Sequence, residues 1–307
     1  MKHKKQFEKV LHTYFPESDL LQIRPLKGGL SADMVVLEFK DKTEETRAVV
    51  VRQHTHGYAP AAQNEFQLLQ QLHRAQQQTP TPYHLDLSGQ ILPNPYLIIE
   101  FIEGEMLLAP QDLEQHIAQL ANQLVAIHSI PIDLETLNFL PLQTANCAEL
   151  EREKKQRHEP LQESAIRQKL KSLTPLVQTN KNVLSHGDFW PGNSLWQDSK
   201  LVAVIDWEDA CLGDPLRDLA ISRCDMVWIF GIEAMHQFTA LYQAQMPIDY
   251  SNLAYWDLCA ALRFIRIAGD DLNEWVAFFP PFGRGDITID SLHHDYDYFV
   301  AQALENS

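Results

Sequence analysis

Positive charge is what this chain most lacks. Its 307 residues carry 25 Lys and Arg against 41 Asp and Glu, a formal net charge of −16. Most of such a surface repels phosphate backbones, which argues against nucleic acid as a partner. Long hydrophobic runs are also missing. The most apolar stretches, Tyr96 to Ile102 and Leu253 to Ile267, are too short or are broken by Asp257, Arg263 and Arg266, so neither spans a bilayer and no membrane partner is expected. The N-terminal Met-Lys-His-Lys-Lys runs into Gln6-Phe7-Glu8-Lys9 without an apolar signal-peptide core, and a cytoplasmic location is expected. Cys147, Cys211, Cys224 and Cys259 lie far apart with no C-x-x-C pair. That spacing reads as free thiols in a reducing compartment, acting as small buried hydrophobes rather than as zinc ligands or disulfides. P-loop and dinucleotide-binding glycine signatures are absent, as is any internal repeat.

What is present suffices for a sizeable core, since 45% of the residues are hydrophobic and the length allows two modest domains. Phe7, Val10, Leu11, Tyr14 and Phe15 follow helical spacing and predict an amphipathic opening helix. Leu21 to Leu26, Met34 to Phe39 and Ala48 to Arg52 read as an antiparallel meander, turning first at Gly28-Gly29 and then in the charged stretch from Asp41 to Glu45. A helix is predicted over 61–78, then two further strands ending at Tyr96 to Ile102. From Pro110 the pattern becomes helical, most clearly at Leu113, Ile117, Leu120, Leu124 and Ile127. The expectation is a small N-terminal lobe over 1–103 and a larger, mainly helical lobe over 104–307. Within the latter, the charge-rich segment 149–172 reads as a solvated helix or helix pair.

The chemistry is concentrated in Leu184-Ser-His186-Gly-Asp188-Phe-Trp-Pro-Gly-Asn193, followed by Ser194 to Trp196, a turn over 197–200, and the apolar strand Leu201 to Ile205 ending at Asp206. Pairing the strands about that turn sets Trp196 opposite Leu201 and Asn193 opposite Val204, with Asp206 two residues further on the same face. Asn193 and Asp206 could then share one ion. An amide oxygen and a carboxylate are hard ligands, and Mg²⁺ is commonly held by one or two such groups together with substrate phosphates. Asp188, five residues before Asn193 in a loop held by Gly187, Pro191 and Gly192, could accept the proton of an attacking hydroxyl. His186 reads as an orienting residue.

Taken together, His186-Gly-Asp188-x-x-x-x-Asn193, Ile205-Asp206-Trp207-Glu208 and Gly213-Asp214-Pro215-x-x-Asp218-Leu-Ala closely resemble the aminoglycoside phosphotransferase and choline kinase-like family. The resemblance implies a bilobal, protein-kinase-like α+β fold and phosphorylation of a hydroxyl on a small molecule using ATP, or GTP, and Mg²⁺. It implies Asp188 as catalytic base, Asn193 and Asp206 as metal ligands, and Asp218 as the brace of the catalytic loop. Asp214-Pro215 independently reads as a helix N-cap and first helical residue, which puts Asp218 in the first turn. Weaker likenesses assign Gly28, Gly29 and Ser31 to a nucleotide-covering turn, Glu65 to the ion-pair partner of a strand cation, and Glu100-Phe101-Ile102 to an adenine-contacting hinge; Ala126-Ile127-His128 resembles a recurrent helix end. One departure stands out: the third strand ends in Arg52, where most kinases carry a phosphate-positioning Lys, and the two side chains differ in reach and shape. A subgroup resembling the kinase-like domains associated with acyl-CoA dehydrogenases shares that Arg together with Asp-Trp-Glu and Gly-Asp-Pro.

Blander readings stand beside these. A kinase-like nucleotide-binding regulatory protein without turnover is the alternative that Arg52 raises. Glu208 and Asp209 either help coordinate metal or finish a turn. His54 with His56, and His293-His294-Asp295, have ligand-like spacing but read more simply as ordinary histidines. The aromatics Trp228, Phe230, Trp256, Phe264, Trp275, Phe278 and Phe279 read mainly as core. Arg263 and Arg266, one turn apart on an apolar helix, either hold an anionic acceptor group or pair with local acids.

Overall fold

The computed structural model describes residues 2–26, 32–54, 59–131, 136–143, 147–152, 157–269 and 271–307. They fall into two compact units, one of residues 1–103 with 202–208 and the other of residues 104–201 with 209–307. The return of 202–208 to the first unit places Asp206 there, a segment that the sequence reading assigned to the second lobe.

In the first unit α1 (Lys2–Tyr14) precedes an antiparallel sheet of β1 (Asp19–Leu26), β2 (Ala32–Lys40), β3 (Thr46–His54), β4 (Pro82–Asp86) and β5 (Tyr96–Glu100), in the order β1-β2-β3-β5-β4. The expected helical stripe is buried: Phe7, Val10 and Leu11 pack with Leu37, Phe39, Val49, Val51, Tyr96 and Ile98, and Tyr14 and Phe15 lie at the edge. Side chains alternate across a strand, so Val50 and Arg52 project from the other face of β3. That face is covered by α2 (Ala59–Arg74), which buries Leu68, Leu69 and Leu72 and, among them, Glu65. The helix expected to run to residue 78 stops at Arg74. Gln76 turns left-handed at φ +55°, and the amides of Gln76 and Gln77 bond back to the carbonyls of His73 and Leu72.

The second unit opens with α3 (Leu113–His128), capped by Asp112, whose side chain accepts from the Gln115 amide at 2.9 Å. Ile117, Leu120, Leu124 and Ile127 are fully buried. Next come α4 (Ala148–Glu151), α5 (Glu163–Leu173) and β6 (Val183–Ser185). The charge-rich stretch is less solvated than expected. Arg167 is buried and donates to Glu163 at 2.7 Å and to the backbone carbonyl of Glu149 at 3.0 Å, which allows α5 to bury Ile166 and Leu170 as well.

The predicted hairpin is present as β7 (Ser194–Gln197) and β8 (Lys200–Val204), joined by Asp198 and Ser199 at φ +49° and +60°, the left-handed pair that two-residue hairpin turns use. One expectation fails. The strand ends at Val204 and Asp206 itself turns left-handed at φ +66°, so strand alternation does not extend to it.

After β9 (Cys211–Gly213), which pairs with β6, come α6 (Pro215–Phe230), α7 (Ile232–Gln243), α8 (Leu253–Ala268), α9 (Leu272–Val276) and α10 (Ile289–Asn306). Asp214 caps α6 as expected, accepting from the Leu216 amide at 3.0 Å with Pro215 at the first helical position. A buried two-pronged pair joins α6 to α8: Arg223 donates from Nε and Nη2 to the two oxygens of Asp257, each at 3.0 Å. Trp228, Trp256, Phe264 and Phe279 are core residues, as read, while Phe278 stays exposed. Truncating Ile98 to Ala inside the first unit's core should cost about 2–5 kcal/mol, whereas Leu21→Ala on its exposed flank should cost less than about 0.5 kcal/mol, both read from urea denaturation.

Candidate active site

β6 and the first turn of α6 together shape the loop from 186 to 193. Asp218 is completely buried and would be costly there without partners. It has three. Its Oδ2 accepts the His186 amide at 2.6 Å, its Oδ1 accepts the Gly187 amide at 2.9 Å, and His128 Nε2 lies 3.3 Å from Oδ2. His128 is itself held through Nδ1, 2.6 Å from the Tyr242 hydroxyl. Burial pushes the Asp218 carboxyl up, but the hydrogen bond and charge of His128, with help from Arg217 and His186, leave it below the ordinary carboxylate range.

Gly187 has to be glycine. Its φ is +86°, and a Cβ would sit 2.0 Å from the carbonyl oxygen of Asp209. Beyond it the chain makes a short 3-10 turn over Pro191–Asn193. There the Asn193 Nδ2 donates to the Asp188 backbone carbonyl at 2.9 Å and to Asp188 Oδ2 at 3.1 Å. The other carboxylate oxygen, Oδ1, accepts from Arg263 on α8. The Asp188 amide donates to His186 Nδ1 at 3.3 Å. The second unit therefore brings His186, Asp188, Asn193 and Asp218 together. Of these four side chains, Asp188 is the one that keeps substantial exposure, 26%.

The first unit brings together another set. Arg52, only 4% exposed, faces three carboxylates: Glu65 at 3.2 Å from Nε, and Asp206 and Glu208 at 2.8 and 3.0 Å from Nη2. Its Nε does not point squarely at Glu65, so that contact is an ion pair more than a directed hydrogen bond. His54 Nε2 approaches the same Glu65 oxygen at 3.1 Å. Burial works against the charge on Arg52, yet the three carboxylates raise its pKa above the usual arginine value. Burial likewise pushes Glu65 up, and Arg52 and His54 more than offset it, keeping its carboxyl below the normal range. Glu208 completes a short 3-10 turn over Trp207–Asp209 and pairs with Arg52 as well.

Glu100 ends β5 with its side chain turned to Thr81, accepting from the amide at 3.1 Å and the hydroxyl at 2.7 Å. Phe101 lies under the Arg24 guanidinium, 4.6 Å from the ring centre, and Ile102 follows in irregular chain. Gly28, Gly29, Ser31 and His56 lie outside the described residues. Among the described residues no group of three or more His, Cys, Asp or Glu could hold a metal ion. Arg263 and Arg266 both pair with acids: Arg266 Nε reaches the two oxygens of Glu149, each at 3.1 Å.

Residues 22–256 match the model of the phosphotransferase enzyme family. The chain belongs to that family. Among similar curated proteins, acyl-CoA dehydrogenase family member 10 of Mus musculus is 26% identical over 261 residues, covering 72% of this chain and 24% of the mouse protein. Member 11 of Rattus norvegicus is 31% identical over 107 residues, covering 29% of this chain and 14% of the rat protein. The chain thus matches a quarter or less of the length of these relatives.

Similar solved structures include the GDP complex of aminoglycoside 2'-phosphotransferase-IIIa, with TM-score 0.65, 16% identity and 99% of each chain covered. Another is spectinomycin phosphotransferase with ADP and spectinomycin, with TM-score 0.66, 16% identity, and 99% of this chain and 98% of that one covered. The fold shared with these members is the kinase-like α+β fold, an antiparallel five-stranded sheet followed by a mainly helical part.

Several partners of the site residues were not foreseen. His128 and Tyr242 lie 114 residues apart, and Arg263 is 75 residues from Asp188. Arg263 carried one sequence signal, a cation on an apolar helix face. Asp225 carried none. It is buried beside Arg263, and burial first, with repulsion from Asp188, pushes its carboxyl up to about 7, against the pull of Arg263.

Two outcomes follow for stability. Arg52→Met leaves Glu65 buried without its main counter-charge and should cost about 3–5 kcal/mol by denaturant unfolding. For Asp225, the folded protein keeps a proton that the unfolded chain releases above about pH 4. That group therefore lowers stability progressively as pH rises from about 4 through its folded value of about 7. Urea midpoints should show Asp225→Asn gaining on the parent protein across this window and levelling off above it.

Proposed function

We propose that this protein is a nucleotide- and Mg²⁺-dependent phosphotransferase acting on a hydroxyl group of a small molecule. The observation that carries the reading is the loop around Asp188. The Asp218 carboxylate holds the two backbone amides that precede Asp188, and Asn193 and Arg263 fix its two oxygens. A carboxylate has about four lone-pair sites, so those two bonds leave room to accept a third proton. Asp188 is the general base in this proposal, His186 its orienting neighbour and Asp218 the brace. Membership of a phosphotransferase family and likeness to members with bound ADP or GDP support the nucleotide.

The donor set suits magnesium. Asn193 spends its amide nitrogen on Asp188, so its Oδ1 is the atom that would meet a cation, and Asp206 offers a carboxylate. Hard oxygen donors of this type, completed by phosphate oxygens, are the usual Mg²⁺ environment. When bound, the ion would neutralise charge on the transferring phosphoryl group. Arg52, in ion-pair contact with Glu65, Asp206 and Glu208, would set the position of Asp206 and keep the strand cation fixed. Gly28, Gly29 and Ser31 would cover the nucleotide phosphates, and the backbone of Glu100-Phe101-Ile102 would meet the base. The lobe assignments remain part of the proposal, with nucleotide contacts expected mainly from 1–103 and acceptor contacts from 104–307.

Asp188 would take the hydroxyl proton as the oxygen attacks, a contribution of roughly 10²–10⁴ in rate. A second reading, a kinase-like regulator that binds nucleotide without turnover, is favoured by the engagement of Arg52 with Asp206 and Glu208 instead of being left for phosphate. Asp188→Asn separates the two. On the enzyme reading, kcat for transfer of ³²P from labelled ATP to a pooled library of amino alcohols, sugars, hydroxy acids and aminoglycosides falls by about 10²–10⁴, with nucleotide Kd changed less than about threefold. A parent protein that binds Mg·ATP but phosphorylates nothing in the library supports the regulator.

A further inference from the structure

The second unit contains a small, partly open cavity whose wall includes Gln143, Glu149, Arg217, Trp256, Cys259 and Arg263. Three of these are charged, and their partners differ in quality. Arg263 is committed to Asp188, and Glu149 is held on both oxygens by Arg266. Among the described residues Arg217, in the first turn of α6, has only distant partners: the Cys211 sulfur at 3.7 Å and Asp218 Oδ1 at 3.9 Å. Asp218 is a poor counter-ion for it, because its two oxygens already serve the His186 and Gly187 amides and His128. A guanidinium 22% exposed, facing a cavity without a well-matched carboxylate, is in place to take an oxyanion from solution. Gln143 adds polar character to the same wall, since its Oε1 accepts from the Cys211 thiol at 3.4 Å and its amide NH₂ can donate.

We propose that this cavity receives the anionic group, a carboxylate or a phosphate, of the hydroxylated acceptor, with Arg217 as its counter-ion. The inference rests on the phosphotransferase reading for the word acceptor, but the anion site itself does not. Arg263 ties the cavity to the candidate base: it lines the wall and bonds Asp188 Oδ1. The arginine pair also resolves a conflict of charge. A chain of net charge −16 favours cations at long range, while this wall reverses the preference locally, where screening is weaker. Trp256 and Cys259 supply the apolar remainder of the wall.

The test uses the full chain with bound ADP and matched probes differing in charge: glyceric acid and glycerol 3-phosphate against glycerol and ethanolamine, with inorganic phosphate as the bare anion. Binding is followed by calorimetry and turnover by ³²P transfer from ATP. The expected result is that an anionic probe binds at least tenfold tighter than glycerol. Arg217→Gln should abolish that preference by about 10- to 100-fold, and Arg217→Lys should restore part of it. Carboxylate against phosphate is decided by which of the two anionic probes Arg217→Gln weakens more. Tighter binding of ethanolamine, no measurable binding of any anionic probe, or equal loss for all probes in Arg217→Gln overturns the proposal. Anion binding that depends on Arg217 without phosphoryl transfer leaves the anion site standing and overturns the phosphotransferase reading instead.

Discussion

Asp218 is the carboxylate on which the rest of the second unit's chemistry is arranged. An ionised group with no exposure to water is unfavourable by several kcal/mol unless its lone pairs are filled, and here two backbone amides and an imidazole fill them. The consequence is directional. Because the amides belong to consecutive residues, the peptide planes leading into Asp188 are set by a buried anchor, and the loop gains rigidity without needing bulk. The same helix turn carries Asp214 as cap and Arg217 toward the cavity, so one element start places the buried carboxylate, the loop it holds and one wall of the cavity.

The first unit solves a comparable problem with opposite sign. Arg52 is a cation on the α2 face of β3, buried within a hydrophobic run, and three carboxylates compensate it. Where a lysine would make a single point contact, the guanidinium fork spans Glu65 on α2 and both acids of the segment following β8. The departure from the usual kinase residue therefore has a structural counterpart: the strand is tied to 206–208 through side chains. The left-handed backbone at Asp206 is held in place by the same tie, since strain of that kind persists where surrounding contacts over-determine it.

Much of the architecture was legible because it depends on local periodicity and on turn chemistry. The opening helix at Phe7, Val10 and Leu11, the three-strand meander, the hairpin turn at 198–199 and the Asp214-Pro215 helix start all use signals contained in a few neighbouring residues. The His-Gly-Asp and Asp-Trp-Glu motifs are likewise runs of neighbouring residues. What escaped was pairing across sequence distance. Nothing near Asp188 announces Arg263, and nothing near His128 announces Tyr242, because these contacts are created by helix packing and not by spacing. The parity argument for Asp206 failed for a different cause: it assumed a strand continuing to a residue whose backbone had already turned left-handed.

Gly187 has a bearing on how this chain tolerates change in length. The Asp209 carbonyl fills the space where its side chain would stand, so the residues on either side of an excursion of 21 intervening positions are pressed against each other, backbone to backbone. The two ends of that excursion are pinned, and Asp188, Asn193 and Asp206 within it are held by side-chain contacts as well. Length variation among natural or engineered versions must then accumulate at the exposed tip around Asp198 and Ser199, while the stem keeps its residue count. The site behaves like a clasp, in which the strap can be lengthened at its loop but the two closing faces admit nothing thicker than a hydrogen atom.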